Sequence, residues 1–134
     1  MRSETSRLEV RIEATPAAVG SIRHELATFA ADHGVADPAD VALAASEAVA
    51  NAVAHAYRDG RVGQVRVVAC GNPGELIIVV RDYGCGMRPH PEAPGAGLGL
   101  SIMGATASEM NVERPDDGGT RIRLRFGGVA DVAA

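Results

Sequence analysis

The chain has no tryptophan, and only two tyrosines and two phenylalanines among 134 residues. Its core must therefore come from Val, Leu, Ile and Ala, and few side chains remain on which single-stranded nucleic-acid bases could stack. No basic footprint compensates, because the net charge is −4 and the arginines are scattered along the sequence. A direct nucleic-acid partner is not expected. Cysteine is scarce too: Cys70 and Cys85 come without a CxxC and without histidines at zinc-finger spacing, so they read as reduced core thiols. No window approaches the roughly 18 apolar residues of a membrane span, and the opening MRSETSRLEVRIEA has no apolar h-region. The expectation is a cytoplasmic protein with no membrane partner.

What is present is a globular composition, 46% hydrophobic and 22% charged. The length suits one domain, 1–134, with a core over about 8–126 and short tails. LEVRIEA (8–14) alternates apolar and polar, as a half-buried strand does. Thr15-Pro16 then predicts a helix start, with Thr15 as N-cap and Pro16 in the first helical position. The helix carries Val19, Ile22, Leu26 and Phe29 on one face and ends at Gly34. A second helix opens at Asp37-Pro38 and is expected to run to about Tyr57. QVRVVACG (64–71) and ELIIVVRD (75–82) read as a hairpin around Asn72-Pro73-Gly74. The second of these strands is nearly continuous in apolar residues, which predicts cover on both faces. YGCGMRPHPEAPGAG is a loop, LGLSIMGATAS (98–108) a short helix, and MNVERP and TRIRLRF two strands joined by Asp116-Asp117-Gly118-Gly119. The order β-α-α-β-β-loop-α-β-β predicts an α+β, two-layer α/β sandwich, its sheet mixed but mostly antiparallel, with helices on one face.

The stretch EAVANAVAH (47–55) stands out within the second helix. Successive residues four apart drift by only about 40° around a helix, so Glu47, Asn51 and His55 share one stripe. Asn is a poor helix former, and Ala48, Val49, Ala50, Ala52 and Val53 leave no room for a broad polar face. The stripe fits either a water-facing flank or the edge of a pocket. The glycine-rich segments are ambiguous on their own. Gly84-Cys85-Gly86 is followed by Met87-Arg88-Pro89-His90-Pro91, where the helix of a dinucleotide fingerprint cannot begin. GAGLGL (95–100) opens a helix and offers backbone N–H groups to phosphates, but it has no GK[ST] and is not a P-loop. Asp82, at the end of a strand of buried type, reads by itself as a solvated terminus or a turn-capping residue.

Taken in order, SEAVANAVAHAY, RDYGCGM, GAGLGLSIM and GGTRIRLRF resemble the N box, the D-x-G-x-G box, the G-x-G-x-G box and the closing Gly-Thr strand of the GHKL (Bergerat-fold) ATPase superfamily. The resemblance covers residues 8–126, and the chain is most similar to the small serine-kinase anti-sigma factors. It implies ATP and Mg²⁺ as cofactors. On this resemblance Glu47 is the general base, Asn51 the Mg²⁺ ligand, and Asp82 the acceptor of the adenine amino group. Gly84 and Gly86 let the backbone pass under the base, Gly95, Gly97 and Gly99 wrap the phosphates, and Met87 and Leu98 count among the nucleotide-binding residues. Thr120 completes the adenine contacts. His55 matches a position near the nucleotide, and a satisfied, partly buried histidine fits it equally. Glu47 decides the branch, because the related histidine kinases usually carry Asn at that position. His24, in RHEL, is read as helix surface, since the chain has no room for a phosphoacceptor domain.

The implied function is a protein-serine kinase and anti-sigma factor that phosphorylates a STAS-type antagonist, binds a sigma factor, and can form a homodimer. The lid between Gly86 and Gly95 is shorter than in the well-known members. That shortness favours one alternative, a non-catalytic nucleotide-binding partner-switch module. The catalytic domain of a split histidine kinase is another.

Overall fold

Two start signals and one stop signal set the helices. The computed structural model describes residues 6–34, 36–56, 63–84 and 106–127, the side chains of His55 and Ala56 excepted. Helix α1 (Pro16–His33) begins with proline in its first turn and ends on Gly34, which adopts the left-handed conformation (φ 66°) and returns its N–H to the Ala30 carbonyl. Thr15 sits at the cap in extended geometry, yet its hydroxyl makes no capping bond. The sequence-based N-cap is thus correct in position and wrong in mechanism: the proline ring, not the hydroxyl, sets the start. Helix α2 (Pro38–Asn51) is capped by Asp37, whose carboxylate accepts the Ala39 N–H at 2.9 Å.

α2 does not run as a regular α-helix to Tyr57. It gives way after Asn51 to a π-helical turn, Ala52–Ala56. Over these residues the winding is the wider i→i+5 type rather than the regular spacing that the sequence predicts.

The strands are β1 (Ser6–Glu13), β2 (Gln64–Asn72), β3 (Glu75–Asp82), β4 (Glu109–Glu113) and β5 (Thr120–Gly127). They form one sheet in the order β1-β2-β3-β5-β4. All four pairings are antiparallel, so the mostly antiparallel sheet expected from the turns has no parallel member among the described residues. Tight turns join β2 to β3 and β4 to β5, which leaves antiparallel pairing as the only short connection.

Both helices cover one face. Ile22, Leu26 and Ala30 of α1 and Val41, Ala44, Ala45, Ala48 and Val49 of α2 meet Val65, Val67 and Ala69 of β2, Leu76, Ile78 and Val80 of β3, and Ile122, Leu124 and Phe126 of β5. The alanines on α2 let it approach its neighbours closely, and the branched aliphatics of the strands fill the layer between. Among the described residues, no helix covers the other face. Ile77 and Val79 are only half-buried there, so the prediction that β3 is covered on both sides fails. Its apolar run reflects a central place in the sheet rather than a second helical layer. Cys70 likewise lies on this outer face, half-buried, and not in the core. Of the helix expected over 98–108, most lies outside the described residues, as does Cys85.

Candidate functional site

β3 and β5 pair so that Asp82 stands opposite Thr120 at the end of the sheet. Alternation places Val80 and Asp82 on the helix-covered face and Arg81 on the outer one. Asp82 and Thr120 are both buried, at 5% and 1% exposure. One Asp82 oxygen accepts the Gly84 N–H at 3.1 Å. Burial pushes the Asp82 carboxyl above its ordinary value, against the opposing pull of the Gly84 and Thr120 backbones and the Arg81 guanidinium. A desolvated carboxylate whose partners do not fully offset its burial is poised to accept a further hydrogen bond.

The turn that leads into Thr120 is seated directly on this carboxylate's backbone. Gly118 and Gly119 both have positive φ, 98° and 79°. A Cβ on Gly119 would fall 2.1 Å from the Asp82 carbonyl oxygen and 2.9 Å from the Tyr83 Cα. Only glycine permits that approach.

Glu47 and Asn51 lie one turn apart on α2, about 6 Å along its axis, and α2 packs across β3 and β5. The helix therefore packs on the same sheet face that carries the Asp82–Thr120 pair. Glu47 is half-buried. Asn51 is 7% exposed, and its amide nitrogen is buried without a hydrogen-bond partner. The contrast with Ser46 on the same helix is informative: Ser46 is equally buried, but its hydroxyl donates to the Leu43 carbonyl at 3.0 Å. A buried polar atom left unpaired costs roughly 1–3 kcal/mol, which sets Asn51 apart from the satisfied Ser46. Asn51 is also the last α-helical residue before the π turn, a kind of irregularity that clusters at functional sites.

Of the residues singled out in the sequence, Glu47, Asn51, Asp82, Gly84 and Thr120 are thus placed on elements that meet. Gly86, Met87, Gly95, Gly97, Leu98 and Gly99 lie outside the described residues, as does the His55 side chain. His24 is exposed on α1, away from these groups. A 520 Å³ hollow beside the β2–β3 turn, lined by Ser6, Phe29, His33 and Pro73 among others, contains none of them. Sequence reasoning missed Arg81 and Gly119. An arginine next to an aspartate at a strand end, and a second glycine before a threonine, were the available signals.

The burial of Asp82 gives pH two opposite effects. Its folded pKa is raised, so between its ordinary value of 3.8 and the raised value the native state holds more protons than the unfolded one. Asp82's contribution to stability is then fullest below 3.8 and is lost as pH rises through the folded pKa. Any ligand that donates to the ionised carboxylate shows the reverse, binding more weakly as pH falls through that window. Asp82→Asn is expected to flatten both trends, measured as thermal stability and ligand affinity at stepwise pH. Parallel wild-type and variant curves would contradict it.

Comparison with known proteins agrees with this fold. Residues 12–126 match the histidine kinase-like ATPase domain. Over 97 residues, 64% of this chain and 68% of the relative, the chain is 33% identical to the anti-sigma F factor of Clostridium kluyveri. Over 126 residues, 92% of this chain and 74% of the relative, it is 31% identical to the serine-protein kinase RsbW of Bacillus licheniformis. Among solved structures, the RsbU and RsbW domains of Rv1364c from Mycobacterium tuberculosis match with a TM-score of 0.69 and 29% identity. That match covers 91% of this chain and 32% of the larger one.

Proposed function

Because the chain belongs to the histidine kinase-like ATPase family, we propose that it is an ATP-dependent protein-serine kinase acting as an anti-sigma factor. Its phosphoacceptor would be a serine on a STAS-domain antagonist, and the unphosphorylated antagonist would compete with a sigma factor for it. The relatives named as RsbW and anti-sigma F factor support this reading. The observation that carries it is the pairing, on a mostly apolar helix, of a half-buried carboxylate with a buried amide that lacks a partner.

In this reading the Asp82 carboxylate takes the adenine amino group, and Thr120 closes the same end of the pocket. Guanine carries a carbonyl where adenine carries that amine, so the carboxylate discriminates by repulsion as well as attraction. Asn51 would hold Mg²⁺ through its amide oxygen, a hard donor suited to that ion. The orphaned amide fits the assignment, since turning it by 180° exchanges oxygen for nitrogen and offers the acceptor to a cation. The ion, when bound, neutralises charge on the β- and γ-phosphates. Glu47 removes the proton from the acceptor serine. The serine oxygen then forms a bond to the γ-phosphorus as the bond to the β–γ bridging oxygen breaks, and ADP leaves. The same reading places the protein in the cytoplasm and allows a homodimer. No described helix is long and apolar enough to cross a membrane.

The test is incubation with Mg-ATP and a STAS-domain antagonist, followed by mass spectrometry. Phosphoserine on the antagonist is the expected product. A stable complex that co-elutes without phosphoserine would replace the kinase by a non-catalytic partner switch, and an acid-labile phosphohistidine would point to a split histidine kinase.

A further inference from the structure

Arg81 is an unusual residue for its position. It projects from the outer face of the sheet, which carries the exposed charged side chains of Arg7, Arg11, Arg121 and Arg123, yet it is only 7% exposed. Its guanidinium is held three ways. One nitrogen donates to the Gly118 carbonyl at 2.8 Å, and another to the Asp117 carboxylate at 2.8 Å. The group also lies over the Tyr83 ring, 4.5 Å from its centroid. Tyr83 in turn interacts with Arg66. Asp117 is 76% exposed, so the ion pair contributes little by itself. The Gly118 carbonyl and the aromatic face are the contacts that need a planar, forked cation.

These contacts join two segments that meet at the site. Tyr83 follows Asp82, and Gly118 precedes the Gly119–Thr120 step that lies against the Asp82 backbone. Arg81 therefore fastens the β4–β5 turn to the end of β3 from the outer face, while Asp82 and Thr120 present their side chains inward. We infer that Arg81 is a positioning residue for nucleotide-base recognition: it fixes the separation of Asp82 and Thr120 and so sets the preference for adenine over guanine. The inference rests on the proposed reading that Asp82 and Thr120 receive the base. Arg81 touches no reacting atom, and the carboxylate and amide on α2 do not depend on it.

The experiment is titration calorimetry with Mg-ATP and Mg-GTP, plus kcat and KM for phosphoryl transfer, on folded variants. Arg81→Met is expected to weaken ATP binding about tenfold, shrink the ATP-to-GTP affinity ratio by a similar factor, and raise KM with little change in kcat. Arg81→Lys keeps the charge but not the fork, and is expected to fall between wild type and Arg81→Met. Asp117→Ala should bind nearly as wild type. A purely structural role would lower the melting temperature and leave the ATP-to-GTP ratio alone, so an unchanged ratio in folded Arg81→Met overturns the inference. If Arg81→Met does not fold, the ratio in Arg81→Lys decides in the same way. Asp82→Asn separates the two levels. If it leaves ATP affinity unchanged, the base-site reading itself fails; if it weakens ATP and the Arg81 variants do not, only the role of Arg81 fails.

Discussion

Glu47→Ala is expected to bind Mg-ATP as tightly as the native protein and to transfer phosphate to its antagonist some 10²–10⁴ times more slowly. The split follows from where the carboxylate stands. Glu47 is half-buried on α2, one turn before the amide proposed for the metal, whereas the groups proposed to recognise the base lie on β3 and β5. Removing it takes away a proton acceptor and leaves the nucleotide contacts in place. Glu47→Gln sharpens the result, because it keeps shape and hydrogen bonding and loses only basicity. Calorimetry and single-turnover phosphorylation measured side by side check it. Transfer at the native rate in either variant would remove Glu47 from the chemistry.

Asn51→Ala is expected to move function and stability in opposite directions. Loss of the amide should abolish productive Mg-ATP binding and cut transfer by at least ~10²-fold, since charge on the phosphates is then left without its counterion. The apo protein, in contrast, sheds a buried nitrogen that has no partner. Relief of that penalty, about 1–3 kcal/mol, together with better helix propensity, outweighs the small cavity left behind, so the melting temperature of the nucleotide-free protein should hold or rise. A structural asparagine would behave otherwise: its replacement would lower stability without ATP present. Thermal melts with and without Mg-ATP distinguish the cases, and a destabilised apo variant that still transfers phosphate would contradict the assignment.

The fold was readable where side chains alternate or punctuate. β1 and β5 show clean alternation, and Gly34 and Asp37-Pro38 bracket the inter-helix turn. Glu47, Asn51 and Asp82 stand out as polar residues beside apolar runs, but each alone fits a plain structural reading, and only the four boxes taken in order give them proposed roles. The π turn was not readable, because the Ala and Val of AVAHA also fill the α-helical turns before it, so residue type carries no sign of the change of winding. The half-buried outer face of β3 was hidden for a related reason. Ile77 and Val79 satisfy a strand's preference for branched side chains whether or not a second layer covers them. Arg81 was invisible because its partners, Asp117 and Gly118, come from a distant turn that only strand register brings alongside.

The pairing of Asp82 with Thr120 also says when the site comes into being. The two residues belong to strands separated by a long stretch of chain, and the helix carrying Glu47 and Asn51 lies earlier still. On the proposed assignment of Asp82 and Thr120 to the base, a partly folded chain with only the β2–β3 hairpin and its helices in place has the helical groups and half of the base pocket, and would bind nucleotide poorly. Closing β5 onto β3 costs loop entropy that local contacts do not return. Nucleotide therefore selects the completed fold over every partial one. At a hundredfold excess over its dissociation constant it would add about 2.7 kcal/mol to that selection, making ATP a chemical chaperone for this chain as well as its substrate.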